Sequence, residues 1–245
     1  MKKGKILFVT GASSEIGCGL IQAVADNYEV ILAHYCHNRA VLDAVKDELG
    51  EKLVILQADF TDMQDVERMI GKIDALGYVP NHIVHLPSQK ACPQKFHKTE
   101  LQQYMDAFTT SVASIVLILK HMMPKMSKQK YGKVLFMLTS YTVNAPIKYM
   151  APYVTVKYAL LGLMRDLSRE YADKGIMVNG VSPDMMETKF ISEMPELMVQ
   201  RYAANSPMGR NLLIGDVIPA FVYLLSEGAD MVSGQNICIS GGNIR

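Results

Sequence analysis

Tyr153 and Lys157 lie four residues apart in Tyr-Val-Thr-Val-Lys, and Ser140 stands thirteen residues upstream. On a helix, positions i and i+4 share a face, so the phenol and the ammonium project together. A free tyrosine is a poor acid at neutral pH, with a pKa of about 10. A cation within a few ångströms favours the phenolate and draws that pKa toward the working pH. A hydroxyl such as Ser140 then holds a carbonyl oxygen while Tyr153 protonates it. This is the acid–base half of a carbonyl reduction, and it requires a hydride donor bound beside it.

The elements that must position such a donor begin at the N-terminus. Residues 5–9 read as a short buried strand, followed at once by Thr10-Gly11-Ala12-Ser13-Ser14-Glu15-Ile16-Gly17. A strand, a glycine-containing turn and a helix bring backbone N–H groups and a helix N-terminus to a pyrophosphate. Apolar strands predicted at 5–9, 29–33, 53–57, 82–86, 133–138, 176–181 and 236–240 alternate with helical stretches. That alternation predicts an α/β fold, a Rossmann-type doubly wound parallel sheet of about seven strands with helices on both faces. The helix over 39–49 stops at Gly50. Thr61-Asp62-Met63-Gln64 has the spacing of a capping box. Thr99 is expected to cap a long helix carrying Leu101, Met105, Phe108, Val112, Ile115 and Leu119 on one stripe, a core or subunit-packing face. No linker or repeat interrupts the pattern, so residues 1–245 are read as a single dinucleotide-binding and catalytic domain.

Composition narrows the function. Of 245 residues, 49% are hydrophobic and 20% charged, which suits one sizeable α/β core. A net charge of +1 argues against nucleic acid as partner, since phosphate backbones demand a basic surface. Cys18, Cys36, Cys92 and Cys238 are scattered without a Cys-x-x-Cys, as expected in a reducing compartment. The opening Met-Lys-Lys-Gly-Lys-Ile-Leu-Phe-Val mimics a signal peptide, but its apolar run breaks at Thr10-Gly11 and reads as the first strand. The most apolar helical stretch, Ile115–Leu119, is read as too short to span a bilayer. A cytoplasmic protein without membrane partners is expected.

Taken together, these stretches resemble the short-chain dehydrogenase/reductase family over essentially the whole chain, with most likeness to its 3-oxoacyl-[acyl-carrier-protein] reductase branch. Thr10–Gly17 is similar to its glycine turn, and Ala58-Asp59-Phe60 to the acidic end of its third strand. Ser140, Tyr153 and Lys157 match its catalytic trio in spacing. Val178-Asn179 through Pro183 to Thr188 resembles its Val-Asn…Pro-Gly-x-x-x-Thr segment, and Ser233-Gly234-Gln235 to Gly241-Gly242 its closing strand. The resemblance implies cofactor contacts from Gly11, Ser13, Ser14, Ile16, Gly17, Asp59, Phe60, Tyr153, Lys157 and Thr188, with Lys157 holding the nicotinamide ribose. It implies a homodimer or homotetramer built on the long helix and the Tyr153 helix. Ser111 aligns with the asparagine that holds a proton-relay water. Lys130 and Lys174 occupy places similar to the basic contacts used for an acidic carrier protein.

An acid ending the second strand would select NAD, and an arginine NADP. Ala33-His34-Tyr35-Cys36-His37-Asn38-Arg39 has no acid, so NADP(H) is favoured, with Arg39 on the extra phosphate. His34/His37 and His82/His85 are spaced three apart, facing opposite sides on a strand, and no metal site is expected. Four positions depart from the family pattern: Glu15 for the turn's second glycine, His85-Leu86-Pro87-Ser88 for Asn-Asn-Ala-Gly, Asp184 for the glycine after Pro183, and Ser111. Segment 184–211, with Met185, Met186, Met194, Met198 and Met208, is expected to form a mobile lid over an adaptable apolar pocket. The activity implied is NADP(H)-dependent reduction of a ketone, 3-oxoacyl-type or small, free or carrier-bound, to a secondary alcohol. The rival is a non-catalytic partner or binding subunit that keeps the fold.

Overall fold

Strand β1 (Ile6–Thr10) is apolar at successive positions because both of its faces are covered. Leu7 and Val9 pack on one side with Leu20, Ile21 and Phe221. Phe8 packs on the other with Leu32, Ile115 and Leu160. The computed structural model describes residues 4–90 and 92–243. The first three residues of the signal-like opening and the last two of the 1–245 unit lie outside them.

The remaining strands are β2 (Val30–Tyr35), β3 (Leu53–Gln57), β4 (His82–His85), β5 (Gly132–Met137), β6 (Ile176–Pro183) and β7 (Asn236–Ile239). They form one parallel seven-stranded sheet in the order β3-β2-β1-β4-β5-β6-β7. Helices α1 (Glu15–Val24), α2 (Ala40–Leu49), α3 (Met63–Ala75), α4 (Leu101–Phe108), α5 (Ser114–Gln129), α6 (Ala151–Glu170), α7 (Glu196–Ala204) and α8 (Ile214–Leu225) complete the fold. Chain order reverses between β1 and β4, and a doubly wound sheet opens its crevice at the carboxyl ends of the strands there.

Four local expectations are corrected. Asp62, not Thr61, caps α3, its side chain accepting from Gln64 N–H, while the Thr61 hydroxyl donates to Asp59. Glu100, not Thr99, begins α4, and the Gln103 side chain accepts from its N–H at 2.9 Å. The long helix is not too short for a bilayer: Leu101–Gln129 is continuous over 29 residues and apolar enough to qualify by length and composition. Half of its most apolar window is buried inside the fold, against the sheet and its neighbouring helices. Strand β2 also runs on to Tyr35, because buried His34 and Tyr35 stay in register with Leu56 and Gln57.

Candidate active site

Gly11 turns the chain after β1 with φ of 69°, a conformation glycine adopts without strain. A Cβ there would come within 3.2 Å of Pro87. Gly17 is required for packing, since a Cβ would lie 2.6 Å from the Ala12 carbonyl. Ser14 caps α1, accepting from Gly17 N–H at 3.1 Å and donating to the Gly11 carbonyl. His34 holds the turn from below: its Nδ1 accepts from Gly11 N–H at 3.0 Å, and its Nε2–H donates to the Ala58 carbonyl at 2.9 Å. That pairing fixes a neutral tautomer, and burial takes its pKa down to about 4. Glu15 is exposed at the mouth of the cleft but is not free. Its carboxylate accepts the Lys189 backbone N–H at 2.8 Å, tying the start of α1 to the chain just after Thr188.

From this turn a cavity of about 780 Å³ runs along the strand ends to Tyr153 and Lys157. Gly11, Ser13, Ser14, Ile16, Asp59, Phe60 and Thr188 all line it. At one end, His34 stacks on Phe60 with ring centroids 3.9 Å apart. Asp59 accepts from both the N–H and the hydroxyl of Thr61, which lowers its pKa. Arg39 does not line the cavity; it is exposed and bonds Asp43 one turn along α2 at 2.8 Å. Ligand atoms of Cys36, His37 and Asp59 lie within 4.8 Å of one another. The spacing argument on β2 missed this cluster because its third member comes from the neighbouring strand's end. All three groups line the cofactor cleft.

At the other end, helix α6 sets Tyr153 and Lys157 on one face, the Lys157 ammonium 5.5 Å from the phenol ring centroid. Lys157 is buried and donates to the Met137 carbonyl at the end of β5, at 2.8 Å. Burial lowers its pKa to about 7. Tyr153 opens to the cavity but packs against Phe190 and Tyr141, and burial raises its pKa to about 12, opposed by a hydrogen bond from Thr139. The expected downward pull on Tyr153 is therefore absent here. The phenol sits in an apolar nest, and the lysine is itself desolvated.

Ser140 is buried and does not line the cavity. It donates to Asp184 Oδ1 at 2.9 Å. The Asp184 carboxylate also accepts from the Tyr202 hydroxyl on α7 and from Asn243 at 2.7 Å. Thr139, which does line the cavity, is a residue that sequence reasoning missed; its adjacency to Ser140 gave no signal of which hydroxyl faces the cleft. Ser111 lies in a π-turn, Thr109–Ala113, between α4 and α5. Such a bulge re-aims backbone carbonyls, and the Ser111 carbonyl accepts from His85 Nε2–H at 2.8 Å. The Ser111 hydroxyl is buried with no hydrogen-bond partner among the described residues. Lys130 and Lys174 are not near the cleft. Lys130 ends α5 and Lys174 precedes β6, so both lie at the amino ends of the strands, opposite the cavity.

Sheet order, glycine turn and crevice define a Rossmann-type oxidoreductase. Residues 11–243 match the family described as Enoyl-(Acyl carrier protein) reductase, and the chain belongs to the short-chain dehydrogenase/reductase family. It is 26% identical over 242 residues to Nodulation protein G of Azospirillum brasilense, covering 97% of each chain. It is 25% identical over 246 residues to the 3-oxoacyl-[acyl-carrier-protein] reductase FabG of Escherichia coli, covering 98% of this chain and 97% of that one. Its fold is shared with the 3-ketoacyl-(acyl-carrier-protein) reductase of Brucella melitensis solved with NADH, at a TM-score of 0.88, 21% identity and 99% coverage of both chains. Levodione reductase has the same TM-score at 18% identity, over 97% of this chain and 96% of its own.

Proposed function

We propose that this dehydrogenase/reductase is an NADP(H)-dependent ketone reductase whose general acid is Tyr153. The observation that carries this reading is the Tyr153–Lys157 pair on the wall of a dinucleotide-sized cavity that starts at the Gly11 turn. The residues present fit a nicotinamide cofactor. Gly11 leaves a cradle that a side chain would fill, the N-terminus of α1 faces it, and the Glu15 carboxylate, although on the cavity wall, is engaged by the Lys189 N–H. Gly11, Ser13, Ser14 and Ile16, with Gly17 keeping the turn tight, would hold the phosphates. Asp59 and Phe60 would flank the adenosine, and Thr188 and Lys157 the nicotinamide half. Bound there, the reduced cofactor supplies the hydride.

The chain's own residues do the rest. Tyr153 gives its proton to the substrate oxygen, a hydroxyl at the end of β5 holds that oxygen, and Lys157 keeps positive charge beside the phenol. Ser111 belongs to this proton path through its buried hydroxyl. The substrate is apolar around its carbonyl, since Met150, Met185, Met194, Ile147 and Phe190 crowd the cavity beside Tyr153. Segment 184–211 is its lid. FabG's printed name specifies a 3-oxoacyl group on a carrier protein; a 3-oxoacyl ester or thioester is the substrate type we favour for this chain. The protein is read as cytoplasmic and as a homodimer or homotetramer. The test is Tyr153→Phe. It should bind NADPH like wild type by fluorescence titration yet reduce ethyl 3-oxobutanoate at least about a hundredfold more slowly. Undiminished turnover in that variant would remove Tyr153 from the mechanism.

A further inference from the structure

Two hydroxyls stand side by side at the end of β5, and the protein treats them differently. Ser140 is 1% exposed and its proton is committed to Asp184 Oδ1. Asp184 is fixed in turn, with Tyr202 of α7 on the same oxygen and Asn243 on the other. A carboxylate that holds three donors binds each of them in a charge-assisted bond, so turning Ser140 toward a substrate would break one of these bonds. Thr139 is also buried, at 4% exposure, but no carboxylate holds its hydroxyl. Thr139 lines the cavity with Tyr153, its side chain works to lower the pKa of that phenol, and it accepts from the Tyr141 N–H at 3.5 Å. Thr139 is the N-cap of the short helical turn over Ser140–Thr142 and Ser140 its first residue, so the two hydroxyls stand where the strand gives way to the turn.

We propose that Thr139, rather than Ser140, is the hydroxyl that holds the substrate oxygen beside Tyr153, and that Asp184 is the positioning residue that withdraws Ser140. The inference rests on the ketone-reductase reading above. In the step it describes, the carbonyl carbon gains the hydride, the oxygen gains the proton of Tyr153, and the C=O π bond is lost. Thr139 keeps its own proton and donates only a hydrogen bond to the substrate oxygen as negative charge builds there. A donor aimed at developing charge acts mainly in the transition state, and removing one costs about a hundredfold in kcat.

The test compares Thr139→Val, Thr139→Ser, Ser140→Ala and Thr139→Val/Asp184→Gly, using ethyl 3-oxobutanoate as probe ketone. Turnover is read with NADPH, and ketone binding to the NADP⁺-loaded protein by ligand-observed NMR. Thr139→Val should lose about a hundredfold in kcat and bind the ketone about fivefold more weakly, with NADPH binding intact as the check on folding. Thr139→Ser should keep most activity, and Ser140→Ala should stay within about threefold of wild type. Releasing Ser140 with Asp184→Gly should return about tenfold of the lost rate to Thr139→Val, a rescue that a purely structural threonine would not allow. A hundredfold loss in Ser140→Ala, or equal losses in Thr139→Val and Ser140→Ala, overturns the assignment. Wild type that binds the ketone without reducing it sinks the reductase reading instead, and the Thr139-dependence of binding still decides between the hydroxyls.

Discussion

In the reading proposed above, the cofactor preference turns on Arg39. No acid stands between His34 and Asn38 to bond a ribose hydroxyl pair, so nothing at the end of β2 rewards NAD(H). Arg39 begins α2 beside Asn38 and Val41, both of which line the cleft, but its guanidinium is spent on Asp43 at 2.8 Å. An exposed i,i+4 ion pair is screened by water and contributes little. A phosphate therefore competes well for the arginine, through a charge-assisted and often bidentate contact. Wild type should show a higher kcat/KM with NADPH than with NADH, and Arg39→Ala should bring the ratio down by about tenfold. A wild-type preference for NADH, or a ratio unmoved by the substitution, would show that the extra phosphate is read elsewhere. The sequence was legible here to the extent that chemistry is local. Tyr153 and Lys157 are one helical turn apart, and spacing alone puts them on one face. Ser140 and Asp184 are forty-four residues apart, and no pattern in the chain announces that one disarms the other.

The helices carry a second kind of information. Along the long helix the apolar stripe divides at the π-turn: Val112, Ile115 and Leu119 are buried, whereas Leu101, Met105 and Phe108 are 75%, 51% and 44% exposed. Phe96 adds a further ring at 77% exposure just before α4. Exposed large apolar side chains one turn apart form a patch that water does not favour, and such patches mark protein–protein contacts. Periodicity predicted the stripe but could not divide it, because the same spacing serves a core and an interface. The capping residues were misread for a related reason: Thr61 and Thr99 have the right side chains, but the hydrogen bonds are set by where the preceding loop delivers the backbone. If α4 belongs to a subunit contact, Phe108→Glu should lower the mass measured by light scattering toward that of a monomer. Cofactor binding should persist in that variant. An unchanged assembly, or a monomeric wild type, would leave the patch without that role.

Across the whole molecule, the strands were legible to within a residue or two because each is a short apolar run, buried on both faces in the middle of the sheet and half-buried at the β3 and β7 edges. The histidines that interrupt those runs were not. His34, His82 and His85 are all buried in the sheet, each with side-chain or backbone partners on both ring nitrogens. His82 lies between the Tyr28 and Tyr131 hydroxyls, while His85 joins Thr10 to Ser111. Burial is the main cause that lowers their pKa values, to about 4 for His34 and about 3 for His82 and His85. Nearby Lys133 and Lys5 push His82 further in the same direction. In the unfolded chain an imidazole titrates at about 6.5. Above that pH both states are neutral and the histidines add no pH dependence. As pH falls below about 6.5, the unfolded chain takes up protons that the native fold refuses, so stability declines until the native pKa values near 3 to 4 are reached. Between pH 7 and pH 4.5 the melting temperature should therefore drop by on the order of 10 °C. His82→Gln is far from the cleft and can keep a bond to a tyrosine hydroxyl, so it should remove about a third of that drop while leaving ketone reduction unchanged. A melting temperature flat across this range, or a slope unaltered in His82→Gln, would mean that these imidazoles are protonated in the native fold.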